Sequence, residues 1–222
     1  MQKQLLFLIT LFYSFQLAHG QIKIVDKPVI FDERRKELSL EYMKTRYDIE
    51  KETPTIDPKI IVVHYTVIPT FEKTFQVFDK SEIPQSRDQI KGASQLNVSA
   101  QFVVDRDGTI YRLMPETTFA RHVIGLNHCA IGIENVGDGK DNPLTKAQLK
   151  ANAKLVKYLK EKYEIEYLIG HYEYKAFQNH PLWKEKDKNY RTVKDDPGKD
   201  FMKALRKKVK KLDINPAPEL TN

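Results

Sequence analysis

The run Ile60-Ile61-Val62-Val63, ending on His64 and bounded by Pro58 and Pro69, constrains this chain more than any other segment. Four consecutive β-branched residues leave no polar face for solvent, so the run predicts a strand covered on both sides, with layers above and below it. Similar short runs recur. Phe102-Val103-Val104 and Ile110-Tyr111-Arg112-Leu113 flank Asp105-Arg106-Asp107-Gly108 and predict a hairpin on an Asp-Gly turn. Ala130 to Val136, closed by Gly137 and Gly139, and Glu166 to Gly170 predict two more strands.

Helical spacing alternates with these strands. Phe71, Phe75 and Phe78 mark a short helix. Thr145 with Gln148 forms a capping box, and Leu149, Ala153, Val156, Leu159 and Tyr163 continue at helical spacing to residue 162 or 163. Phe201, Leu205, Val209 and Leu212 line a last amphipathic helix, whose other face carries Lys203, Arg206, Lys207 and Lys210. Residues 79 to 98 lack periodicity and read as a long surface loop. The class is α/β, a single domain with a central mixed β-sheet flanked by helices, and 222 residues suffice for one real core.

The ends differ in kind from this middle. Residues 1–20 carry Lys3, an apolar run from Leu5 to Leu17 and Ala18-His19-Gly20, the pattern of a cleaved signal peptide. The run is short for a bilayer span and contains Tyr13, Ser14 and Gln16, so no stable membrane insertion is expected after cleavage. The expected location is outside the cytoplasm, periplasmic or secreted. Residues 21–58, charged and containing Pro28, Pro54 and Pro58, read as an extension packed on the core, with one short helix near Ser39, Leu40, Tyr42 and Met43. Residues 214–222 read as a tail. Cys129 is the only cysteine, so no intramolecular disulfide is available and this thiol reads as a small buried hydrophobe. The formal charge of +7 favours anionic surfaces, yet no motif for nucleic acid accompanies it, and none is expected as a partner. Asn97-Val98-Ser99 is a glycosylation sequon for a eukaryotic secretory pathway.

Several of these segments end on side chains suited to metal chemistry. His64 and His171 follow predicted strands, at the carboxyl edge where open α/β sheets place their sites. In Ile131-Gly132-Ile133-Glu134 the period of two puts Gly132 and Glu134 opposite the isoleucines, and the glycine leaves room for a ligand. Lys194-Asp195-Asp196-Pro197-Gly198 adds a carboxylate and an ammonium. Taken singly, each has a plainer reading: a core histidine, a solvated charge, a turn before a helix. Together they fill the needs of a hydrolytic zinc site, which takes three protein ligands, an open position for water, a base and an oxyanion partner.

The residues Val63-His64-Tyr65-Thr66, Val98 through Ile110, Ala120-Arg121-His122, Asn127, Ile131 through Glu134, Gly170-His171 and Lys194 through Gly198 resemble, in type and order, a known family. It is the zinc-dependent N-acetylmuramoyl-L-alanine amidases that share a fold with peptidoglycan recognition proteins. The resemblance implies an amidase domain, bounded here at 59–213, with Zn2+ held by His64, His171 and Asp196. It implies catalysis by Glu134 and Lys194 on peptidoglycan or muropeptides, and Tyr65, His122 and Asn127 are candidates for holding substrate. The stretch between His171 and Asp196 is longer than in compact members, which leaves His180 and Asp195 as competing ligands. Trp183 within it is either a stacking surface for substrate or an anchor for the loop. Gln101 stands where many relatives carry histidine, a change that bears on a substrate contact. A non-catalytic binding module on the same fold is the rival reading. Another zinc peptidase ranks last, because the chain lacks the His-Glu-x-x-His helix.

Overall fold

A computed structural model describes residues 22–84 and 92–219. The proposed leader, residues 1–20, lies outside the described residues. In chain order the elements are β1 (Ile24–Asp26), α1 (Glu33–Tyr47), β2 (Ile60–Val63), α2 (Phe71–Phe78), β3 (Phe102–Val104), β4 (Ile110–Arg112), β5 (Ala130–Asn135), α3 (Lys146–Lys162), β6 (Tyr167–Gly170) and α4 (Lys199–Val209). Short 3-10 turns follow β6 (His171–Phe177) and α4 (Lys210–Leu212).

The six strands form one sheet in the order β1-β4-β3-β5-β2-β6. Only β3 and β4 run antiparallel, as the Asp-Gly hairpin requires; the other neighbours are parallel. The class is therefore the expected α/β with a mixed sheet. All four residues of β2 have no exposed surface, in keeping with a strand covered on both faces and placed between β5 and β6.

Strand parity divides the core. Ile61, Val63, Ile131 and Ile133 join Leu155 and Leu159 of α3 and Met202 and Leu205 of α4 in one cluster. Ile60, Val62, Ala130 and Ile169 join Tyr174 and Phe177 in another. Thr145 and Gln148 cap α3 reciprocally, and the Gln148 amide reaches on to the carbonyls of Val104 and Val136, so the cap also ties the ends of β3 and β5.

Two segments extend what the sequence suggested. The N-terminal helix has fifteen residues, beginning at Glu33 behind an Asp32 cap. Its charged first turn concealed it: Arg35 is buried and donates to the carbonyls of Phe78 and Lys80. Residues 24–26 add the edge strand β1 beside β4. Asn97 is fully buried and its amide donates to the carbonyls of Val77 and Lys80, so the sequon is closed to glycosylation in the folded chain. Cys129 is buried as expected, and burial pushes its thiol up to about 12.

Candidate metal centre

Sheet register assembles the site. Val62 of β2 pairs with Gly132 of β5 on one side and Ile169 of β6 on the other. Two residues further along each strand the side chains return to the same face, so His64, Glu134 and His171 stand next to one another at the carboxyl edge. His64 is held firmly there: its main chain bonds to Ile133 and Asn135, and its carbonyl also accepts from the Asn135 side chain at 3.0 Å. Asn152 of α3 donates to Asn135 Oδ1, which carries the restraint back to a helix.

Asp196 enters from the loop before α4. Its Oδ2 lies 3.1 Å from His64 Nδ1 and 3.1 Å from His171 Nδ1, and the two Nδ1 atoms are 3.0 Å apart. All three residues are buried, and among the described residues they are the group able to share a metal ion. Three lone-pair atoms converging at such distances repel one another unless a cation or proton lies among them. The triangle suits zinc: bonds of about 2.0–2.1 Å in tetrahedral geometry place ligand atoms roughly 3.3 Å apart.

Protonation agrees with that donor set. Burial, reinforced by His64, lowers His171 to about 4, leaving a neutral imidazole. Burial alone would raise the Asp196 carboxyl, but its close contacts with the His171 and His64 rings outweigh it and hold the group well below the usual carboxylate range.

The other candidates take distinct places. Lys194 lies in a cleft with His122, His171, Tyr190 and Thr192, near enough for its charge to depress His171. Tyr65 stands at the rim with its hydroxyl donating to Asp195 Oδ1 at 2.8 Å; burial and then Asp195 raise the phenol to about 12, so it remains a donor. Asp195 is exposed and sits outside the triangle. His180 meets the Tyr167 hydroxyl, at the start of β6, while His171 follows the end of that strand. Four residues of strand, roughly 13 Å, separate those levels, so His180 is not brought to the cluster.

Three polar side chains turn inward. Asn127 is buried and accepts from the N–H groups of His122 and Val123 while donating to the Tyr47 hydroxyl. Gln101 is wholly buried and bonds Thr118 and the Gly132 N–H, so its amide serves the fold instead of a substrate. His122 fills the space that Gly132 leaves open: a Cβ at Gly132 would come within 2.9 Å of its ring. That space therefore holds a side chain of the protein itself.

The long segment after His180 lies beside the cluster. Tyr190, Thr192 and Lys194 line the cleft, and Arg121 donates to the Tyr190 hydroxyl. Trp183 stacks on Tyr174 with centroids 6.1 Å apart, carries the Arg191 guanidinium on its ring at 4.6 Å, and donates to the Glu185 carbonyl. Sequence reasoning missed what fastens this segment to α1, the buried pair Arg46–Glu185 at 2.8 Å. No spacing rule links residues so far apart. A wider cavity of about 470 Å³, between β1, the hairpin turn and α3, shares no residue with the cluster.

Residues 54–199 match the family described as N-acetylmuramoyl-L-alanine amidase. No curated protein sequence matches the chain. Among solved structures, the N-acetylmuramoyl-L-alanine amidase LysC from Clostridium intestinale URNW superposes with a TM-score of 0.50 at 23% identity, covering 87% of this chain and 99% of that one. The Ph2119 endolysin from Thermus scotoductus MAT2119 bacteriophage Ph2119 gives 0.51 at 19% identity, with 84% and 99% covered. A selenomethionine derivative of AmpD gives 0.50 at 21% identity, with 82% and 93% covered. At these identities the likeness is one of fold.

Proposed function

Because this chain belongs to the N-acetylmuramoyl-L-alanine amidase family, we propose that it hydrolyses the amide joining the lactyl carbonyl of muramic acid to L-alanine, in peptidoglycan or muropeptides, with zinc held by His64, His171 and Asp196. The observation that carries this reading is the buried triangle of donor atoms, 3.0–3.1 Å on each side, with Glu134 at the same level one strand away. When bound, zinc supplies Lewis acidity toward the scissile carbonyl and toward water.

The protein's own residues do the rest. Glu134 takes the proton of the attacking water and delivers it to the departing amine of L-alanine, acting first as base and then as acid. Lys194 offers its ammonium to the oxyanion that develops on the former carbonyl. Burial of the cluster by the sheet and by the loop through Asp196 lowers the local dielectric, which strengthens both interactions. Tyr65, a protonated phenol at the rim, is placed to donate to substrate once released from Asp195. Residues 1–20 would direct the chain to the periplasm or the exterior, where peptidoglycan is found. No helix among the described residues is long and apolar enough to cross a membrane.

Glu134→Gln separates an enzyme from a binding module. The variant is expected to keep its fold and zinc and to lose hydrolysis by about a hundredfold or more, the usual scale for loss of a general base. Undiminished hydrolysis would remove Glu134 from the mechanism, and a wild-type chain that binds muropeptide without turnover would establish the non-catalytic reading.

A further inference from the structure

We propose that His122 is a positioning residue that sets the tautomer and ring orientation of His64 for metal binding; the inference rests on the functional reading above. His64 Nε2 lies 3.1 Å from His122 Nδ1, and His122 Nε2 lies 3.2 Å from the carbonyl oxygen of Ala130. A carbonyl can only accept, which fixes the direction of the whole relay. The proton of His122 sits on Nε2 and is donated to Ala130, so Nδ1 presents a lone pair. His64 must then carry its proton on Nε2 and donate it to His122. That leaves His64 Nδ1, the atom facing His171 and Asp196, as a free lone pair.

This bias opposes a competing one. The Asp196 carboxylate, 3.1 Å from His64 Nδ1, attracts a proton to that nitrogen, and a proton there would block coordination. His122 draws the proton to the opposite side of the ring. Its own placement is determined independently at two points. Asn127 Oδ1 accepts from the main-chain N–H groups of His122 and Val123. Gly132 is the one residue type that leaves space for the imidazole on this strand, since a Cβ would fall 2.9 Å from the ring. The glycine in Ile131-Gly132-Ile133-Glu134 thus has a definite purpose, to seat the partner of a metal ligand.

Three variants test the relay. His122→Leu removes the acceptor, His122→Asn restores one near the position of Nδ1, and Gly132→Ala displaces the ring. Zinc affinity, measured by competition with a chromophoric chelator, is expected to fall about 10–100-fold in the leucine variant, the usual effect of losing such an outer partner. The asparagine variant should recover most of that loss, and Gly132→Ala should weaken zinc in the same direction as leucine. A merely structural role would lower the melting temperature and leave zinc affinity intact. Long-range proton–nitrogen NMR of the zinc-free wild type should find His64 protonated on Nε2. Wild-type affinity in a folded leucine variant, or His64 protonated on Nδ1, would overturn the proposal. Should the leucine variant not fold, an asparagine variant as weak as Gly132→Ala would overturn it as well. Failure of the wild type to bind zinc at all would instead defeat the metal reading of the site, and the NMR tautomer would still decide the relay.

Discussion

Replacing Trp183 with alanine distinguishes an anchor from a substrate platform, and the structure sets the size of the effect. The ring lies between Tyr174 and the Arg191 guanidinium, and it presses on Gly125, where a Cβ would stand 2.6 Å from it and the backbone has a φ of +81°. Deleting a fully buried tryptophan costs about 3–5 kcal/mol. Trp183 is partly exposed, so the lower end applies, about 3 kcal/mol, which already includes the aromatic and cation–π contacts of about 0.5–1.5 kcal/mol each. For a chain of this size each kcal/mol moves the midpoint by about 2–4 °C, so calorimetry of the variant should record a fall of about 6–12 °C. KM for a soluble muropeptide should stay within about twofold, because the ring faces the protein. A midpoint within 2 °C or so of wild type, together with a KM raised several-fold, would refute the anchor and make Trp183 a substrate contact.

Lys194→Met should keep zinc and fold while kcat falls about 10²–10³-fold, the scale for removing one oxyanion donor; unchanged kcat would exclude that role. Glu185→Ala should destabilise the chain to urea by about 3 kcal/mol, since the carboxylate is wholly buried against Arg46, while Asp187 and the Tyr190 ring still accompany the guanidinium. A loss under about 1 kcal/mol would mean that the pair does not fasten the loop to α1.

The middle of the fold was legible because its signals are local. The Ile60–Val63 run, the Asp-Gly turn and the Thr145–Gln148 box each determine an element within a few residues, and all appear where expected. Period two along β2, β5 and β6 put these side chains on one edge, although only the register revealed that His64, Glu134 and His171 are neighbours. What stayed hidden depends on distant partners. The first turn of α1 reads as solvated charge until Arg35 meets the carbonyls of Phe78 and Lys80. The space beside Gly132 looks like room for a ligand until His122, ten residues earlier in the chain, occupies it. Likewise, Gln101 passes for a substrate contact in one dimension, and in three its buried amide bonds the Thr118 carbonyl and the Gly132 N–H.

The most direct test of the central claim is one preparation measured for both metal and product. Purified protein should contain one zinc per chain and release free L-alanine amino ends from peptidoglycan. A chelator should abolish that release, and added zinc should restore it. Undiminished release from zinc-stripped protein, or stoichiometric zinc with no new L-alanine amino ends, would contradict the account.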